Sequence, residues 1–146
     1  MSMKNSQYSA AQILEALQSG DNDVVRSAAF SAGDMGLKEA VPLLCERIKS
    51  ENIGVQEAAE YGLRKIRGAQ SIVELLPLLR SDEVPVRNVA MDILREIGVD
   101  SIESMQPYLR DDDPDLRIFI ADILGYCLSH QSALLLGDAL LKDPEV

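Results

Sequence analysis

At 146 residues the chain is long enough to bury a core as one domain, and its 47% hydrophobic but only 4% aromatic composition suits Leu, Ile, Val and Ala between closely packed helices. A formal net charge of −10 without a basic run argues against nucleic acid, whose phosphates need clustered Lys and Arg. Single cysteines at 45 and 127 lack zinc spacing, and no apolar run is long enough to span a bilayer, so a cytoplasmic protein without a metal or cofactor is expected.

In chain order, residues 1–8 are polar, lack the apolar stretch of a signal peptide, and are expected to be flexible. From residue 9 the chain repeats itself. Four turn segments recur: Asp21 to Arg26, Glu51 to Gln56, Asp82 to Arg87 and Asp112 to Arg117, with last residues 30, 31 and 30 positions apart. After each marked residue an apolar pattern follows at offsets three, six, seven and ten: Ala59, Gly62, Leu63, Ile66; Ala90, Ile93, Leu94, Ile97; Ile120, Ile123, Leu124, Cys127. That spacing is one face of an α-helix, here called helix B. A second apolar helix, helix A, precedes each turn: Ala10–Leu17, Ala40–Ile48, Ile72–Leu79 and Ile102–Leu109, with another at Ala133–Leu141. The expected units are residues 9–36, 37–68, 69–98 and 99–130, with a partial fifth at 131–146.

The turns carry helix-start chemistry. Asn22, Asn52 and Asp113 stand where a side-chain oxygen caps free N–H groups, and Pro114 occupies a first helical position that needs no N–H. Glu83 and Pro85 depart from this pattern and predict a shifted helix start. Pro77 and Pro107 predict kinks within helix A.

The turn Asp113-Pro-Asp-Leu-Arg117 followed by Ala121 and Ile123-Leu-Gly125, with its weaker copies, resembles the HEAT-like repeats of phycobilisome lyases, over roughly residues 9–146. The resemblance implies an all-α, right-handed α-α superhelix of the HEAT/armadillo-like solenoid class, with four A–B pairs plus one extra helix. It further implies that B helices line the concave side, and that turn Asp and Arg residues form ladders between repeats. Arg26, Arg87 and Arg117 match the Arg position, and Gln56 interrupts it.

No catalytic constellation is recognisable, and a non-enzyme is expected. His130, the only histidine, reads as a surface loop residue, and a single His without a His-Glu dipeptide excludes the iron chemistry of HEAT-like deoxyhypusine hydroxylases. HEAT-like DNA glycosylases need a basic groove and Trp, which this acidic, Trp-free chain lacks. Ser27, Ser31 and Ser129 have no neighbouring base, and Asp111–Asp115 reads as helix capping rather than a calcium loop.

The chain ends in Asp143-Pro-Glu-Val146, aligned with Asp113-Pro-Asp-Leu116, and the preceding helix is apolar through Leu134, Leu135, Leu136, Leu140 and Leu141. The expectation is a fragment of a longer repeat protein, or an end covered by another chain through self-association.

What remains is a binding surface on the B helices. Offset five gives Ser31, Tyr61, Asp92 and Asp122; offset one gives Ser27, Glu57, Asn88 and Ile118; offset nine gives Lys65, Glu96 and Tyr126; Phe119 stands at offset two. Aromatic anchors near carboxylates suit a protein or peptide partner with basic or amide-rich groups. Ile118 and Phe119 could equally pack on a further repeat. The leading expectation is a protein–protein interaction scaffold; alternatives are a subunit related to phycobilin lyases acting on a chromophore-bearing protein, and a regulatory module of a larger protein.

Overall fold

The computed structural model describes residues 8–142, with side chains described through Gln131. The elements run α1 (Ala10–Ala16), α2 (Asn22–Met35), α3 (Val41–Ile48, entered through a 3₁₀ turn at Lys38–Ala40), α4 (Ile53–Ile66), α5 (Gly68–Leu75, leaving through a 3₁₀ turn at Leu76–Arg80), α6 (Val84–Ile97) and α7 (Pro114–Lys142). Between α6 and α7 lie only 3₁₀ turns, at Gly98–Asp100, Ile102–Ser104 and Gln106–Arg110. The fold is an all-α solenoid, with no strand among the described residues. The B helices α2, α4, α6 and α7 pack each on the next, and the A segments form a second layer against them.

One core runs between the layers, built from the helix-B offsets read in the sequence. Val25, Val55, Val86 and Leu116 are buried one residue before the marked position; Ala29, Ala59, Ala90 and Ile120 are buried three after it. Leu44, Ile48, Ile72, Leu75, Leu76, Leu79 and Met105 fill it from the A side. Because stacking neighbours cover what one pair cannot bury, each repeat depends on the next for its core.

Helix starts follow the turn chemistry with two adjustments. Ser9 and Gln12 form a capping box on α1. The cap of α2 is Asp21 rather than Asn22, its carboxylate accepting from the N–H groups of Asp23 and Val24. Asn52 accepts from Val55 N–H at 3.0 Å, and Asp113 accepts from Asp115 N–H at 2.9 Å. The expected shift at the third copy does not occur. Helix α6 starts at Val84, three residues before its marked Arg87, as α4 does before Gln56 and α7 before Arg117. Pro85 falls in the first turn, where a missing N–H costs no helix bond.

The marked Arg residues do not form the expected Asp–Arg ladder. Arg87 donates to the carbonyl of Ser81 at 2.9 Å, and Arg117 to that of Asp111 at 2.6 Å, closing the carbonyl end of the preceding A segment. Gln56 does the same for Ile48 at 2.9 Å, so it continues the pattern it was expected to break. A guanidinium or an amide serves equally here, since the acceptor is a neutral carbonyl.

Proline decides the A layer. Pro77 turns the end of α5 into a 3₁₀ segment, and Pro107 leaves the fourth A segment without any α-helix. Each proline lacks an N–H and disfavours helical geometry in the residue before it.

The second departure is at the C-terminal end. The expected break near 130 is absent, and α7 runs unbroken from Pro114 to Lys142. From Tyr126 to Leu136 the chain has neither glycine nor proline, and polar residues alone do not stop a helix. The fifth helix A is therefore a continuation of the fourth helix B, and His130 lies on a helix rather than in a loop. Residues 1–7 and Asp143 to Val146, on which the expected flexible N-terminus and the aligned final turn fall, lie outside the described residues, as do the side chains of the leucines from 134 to 141.

Candidate functional site

The B helices present a continuous side built from offsets one, five, eight and nine. Offset eight was not singled out from the sequence, and it organises the surface. From repeat to repeat the residue eight after the marked position reaches the next helix B. Asp34 accepts from the Tyr61 hydroxyl at 2.5 Å. Arg64 pairs with Glu96. Arg95 donates to Asp122 at 2.5 Å and to Asp92 of its own helix at 3.0 Å. A sequence signal for these rungs existed: Arg64 and Glu96, or Arg95 and Asp122, are opposite charges about one repeat apart.

The rungs change the status of several candidates. Tyr61 is committed to its neighbours: its ring meets Phe30 edge-on at 5.1 Å between centroids, its face takes Lys65, and its hydroxyl serves Asp34. Hydrogen bonding to the Asp34 carboxylate raises its pKa above the ordinary phenol value. Ser31 is only 4% exposed, so it does not project from the surface as expected. Phe119 is half-buried against the core with the Arg87 guanidinium 5.8 Å above its ring, so only part of it faces outward.

Asp92, Glu96 and Tyr126 come together around a depression of about 480 Å3 that Arg64, Arg95 and His130 complete. Helices α4, α6 and α7 each supply part of its wall. Asp122 joins it through Arg95. Tyr126 is 53% exposed, with its ring parallel to that of His130 one turn on, 6.3 Å between centroids. Hydrogen bonding to Asp122 raises the Arg95 pKa further. Burial raises the pKa of nearby Glu60 despite Arg64, and Asp92 and Glu57 add to the effect. The depression is thus lined by two guanidinium groups and two carboxylates, a third carboxylate, Asp122, being bound to Arg95, with the exposed Tyr126 at its rim.

The other candidates lie outside it. Glu57 and Asn88 are exposed on the same helix side. Ile118 is 64% exposed on α7. Ser27 and Ser31 line a different groove, of about 390 Å3, between α1 and α2, beside Tyr8, Ile13 and Val24. Among the described residues no group of three or more His, Cys, Asp or Glu side chains is placed to hold a metal ion, and no helix is long and apolar enough to cross a membrane. Both cysteines are buried; desolvation pushes the Cys45 thiol up to about 12.

The repeat geometry has a counterpart among known families, for residues 10–95 match HEAT repeats. The chain belongs to the HEAT repeat family. Among curated proteins this HEAT chain is similar to Rho family-interacting cell polarization regulator 2 of Homo sapiens, at 30% identity over 62% of its length, and to that of Mus musculus, at 29%. It spans only 9% of the length of those relatives. Among solved structures it is similar to an engineered protein, at 20% identity and a TM-score of 0.46, over 82% of this chain and 62% of that one.

Proposed function

We propose that this HEAT chain is a protein-interaction scaffold whose B-helix side docks a partner polypeptide at the third and fourth repeats. The observation that carries the reading is the half-exposed Tyr126 at the rim of the charged depression. Aromatic side chains that can be desolvated against a partner dominate binding energy, and a polar rim gives register. The carboxylates of Asp92, Glu96 and Asp122 outnumber Arg64 and Arg95, which favours a partner segment with basic or amide groups. Glu57, Asn88 and Ile118 extend this side. The reading places the chain in the cytoplasm, free-standing or as a regulatory module of a larger protein.

The human relative's name supplies the first partner to try, a Rho-family protein. Binding would be measured by titration calorimetry with the intact chain and with Tyr126→Ala, Asp92→Asn and Asp122→Asn variants. The expected result is at least about a tenfold loss of affinity in Tyr126→Ala, the scale of one interface anchor, with helicity unchanged. Equal affinity in all variants would place docking elsewhere on the stack. If no Rho-family protein binds, photo-crosslinking from position 126 in a lysate identifies which polypeptide contacts this face, and no crosslink refutes the site. The narrower reading, a subunit related to phycobilin lyases, rests on the turn motif alone; a bilin-transfer assay with a chromophore-bearing protein tests it.

A further inference from the structure

Three junctions carry the chain from a helix B to the next A segment, and each makes its turn differently. The first uses Gly36 in the left-handed region at φ 62°. The third passes through Gly98 at an ordinary φ of −58°. The middle junction has no loop at all. Helix α4 ends at Ile66 and α5 begins at Gly68, so Arg67 makes the turn, at φ 57° and ψ −161°. Glycine adopts that geometry readily, whereas a Cβ crowds the backbone there. Gly68 next to it also has a positive φ, of 88°.

The Arg67 side chain has a definite engagement. Its Nε and Nη2 donate to the two oxygens of Asp100 at 2.9 and 3.0 Å, and Nη2 also reaches the carbonyl of Glu96 at 3.4 Å. Asp100 in turn accepts from the N–H of Gly68 at 3.0 Å. One carboxylate, at the start of the fourth repeat, therefore grips both residues of the turn between the second and third. Paired, charge-assisted bonds of this geometry are the stronger kind of surface contact. At neither of the other junctions, among the described residues, does a carboxylate hold an arginine in this way.

We infer that Asp100 is a clip that holds the Arg67–Gly68 turn in a conformation it would not keep alone, so that seating the fourth repeat sets the angle between the second and third. Local strain at Arg67 is offset by a contact that exists only when the next junction is formed. The solenoid thus carries a coupling beyond nearest-neighbour packing, and its stiffness at this point depends on one carboxylate. The lowered Asp100 pKa, caused first by its bond from Arg67, agrees with the grip. This device is independent of whether the Tyr126 depression binds a partner.

The experiment compares thermal melts and native-state hydrogen exchange of the full chain with Arg67→Ala, Arg67→Gly and Asp100→Asn variants. Where φ is negative, Ala is preferred to Gly because Gly loses more conformational freedom on folding. With the clip removed in both Arg67 variants, the positive φ at this position opposes that preference, so Arg67→Gly is expected to melt above Arg67→Ala. In Asp100→Asn the Gly68 amide is expected to exchange about tenfold faster, the scale of one charge-assisted bond, while core amides of α2 change little. Arg67→Ala melting equal to or above Arg67→Gly would overturn the strained turn. Unchanged Gly68 exchange in Asp100→Asn would overturn the clip. If Asp100→Asn does not fold, Gly68 exchange is read in Asp100→Ser instead, which also lacks the carboxylate, and rates equal to the parent chain count against the coupling.

Discussion

The two halves of the solenoid are built from the same repeat but close their cores by different means. In the first two repeats the inner positions of helix B are Ala29, Ala32, Gly33, Ala59, Gly62 and Leu63, all but one of them small, and α2 lies almost directly on α4. A Cβ added at Gly33 would stand 2.8 Å from the Gly62 Cα, and one at Gly62 would stand 3.1 Å from the Ala29 carbonyl oxygen. In the last two repeats the same positions hold Ala90, Ile93, Leu94, Ile120, Ile123 and Leu124, all buried. There the A layer is thinned by Pro77 and Pro107, and arginine–carboxylate contacts tie one repeat to the next. Small residues let backbones meet; branched ones fill the space that shortened A segments leave. The candidate site falls in the second half, where polar side chains rather than close backbones define the surface.

Three perturbations bear on this contrast, in descending order of effect. Ile93→Ala removes a fully buried side chain where no backbone can close in, and is expected to cost about 2 to 5 kcal/mol in denaturant unfolding. A much smaller loss would mean the second half can collapse to the close spacing of the first. Gly33→Ala tests the other side. Helix propensity alone would stabilise this change by up to about 1 kcal/mol, yet overpacking against the Gly62 backbone is expected to outweigh it by about 1 to 3 kcal/mol. A gain in melting temperature would show that α2 and α4 are not in backbone contact.

The third perturbation is acid. Bonding from Arg80 holds the Asp111 carboxyl at about 2, below its ordinary 3.8, and Arg67 holds Asp100 low in the same sense. A carboxylate depressed in the folded state stabilises it fully above the ordinary value, and that stability is lost as pH falls through the folded one. Between about pH 4 and pH 2 the second half is therefore expected to lose hydrogen-exchange protection before the first, by a modest margin. Asp111→Asn should flatten the pH dependence of melting in that window; an unchanged slope would remove Arg80–Asp111 from the account.

Much of this was legible in the sequence because repetition supplies its own control. Offsets three, six and seven named the buried side of every helix B, and offset ten that of the last two, as burial of Ala59, Leu63, Ile93, Leu94, Ile97, Ile120 and Cys127 shows. The surface was harder to read. Ser31 shares offset five with Asp92 and Asp122 but is buried, and Tyr61 at the same offset is tied to Asp34. Offset tells which way a side chain leaves its own helix. It does not tell what the neighbouring helix places in front of it.

Local sequence alone determined the number and phase of the B helices, the capping role of Asn52 and Asp113 and the disturbance of helix A at Pro77 and Pro107, which the structure shows as 3₁₀ segments rather than kinks, because each depends on bonds within a few residues. The tertiary structure decided the rest. It made Gln56 equivalent to an arginine, because both find a carbonyl. It placed Arg67 in a glycine-like turn that a carboxylate 33 residues away holds. Contacts between repeats are set by how closely backbones approach, and that distance follows from packing rather than from any single residue's preference.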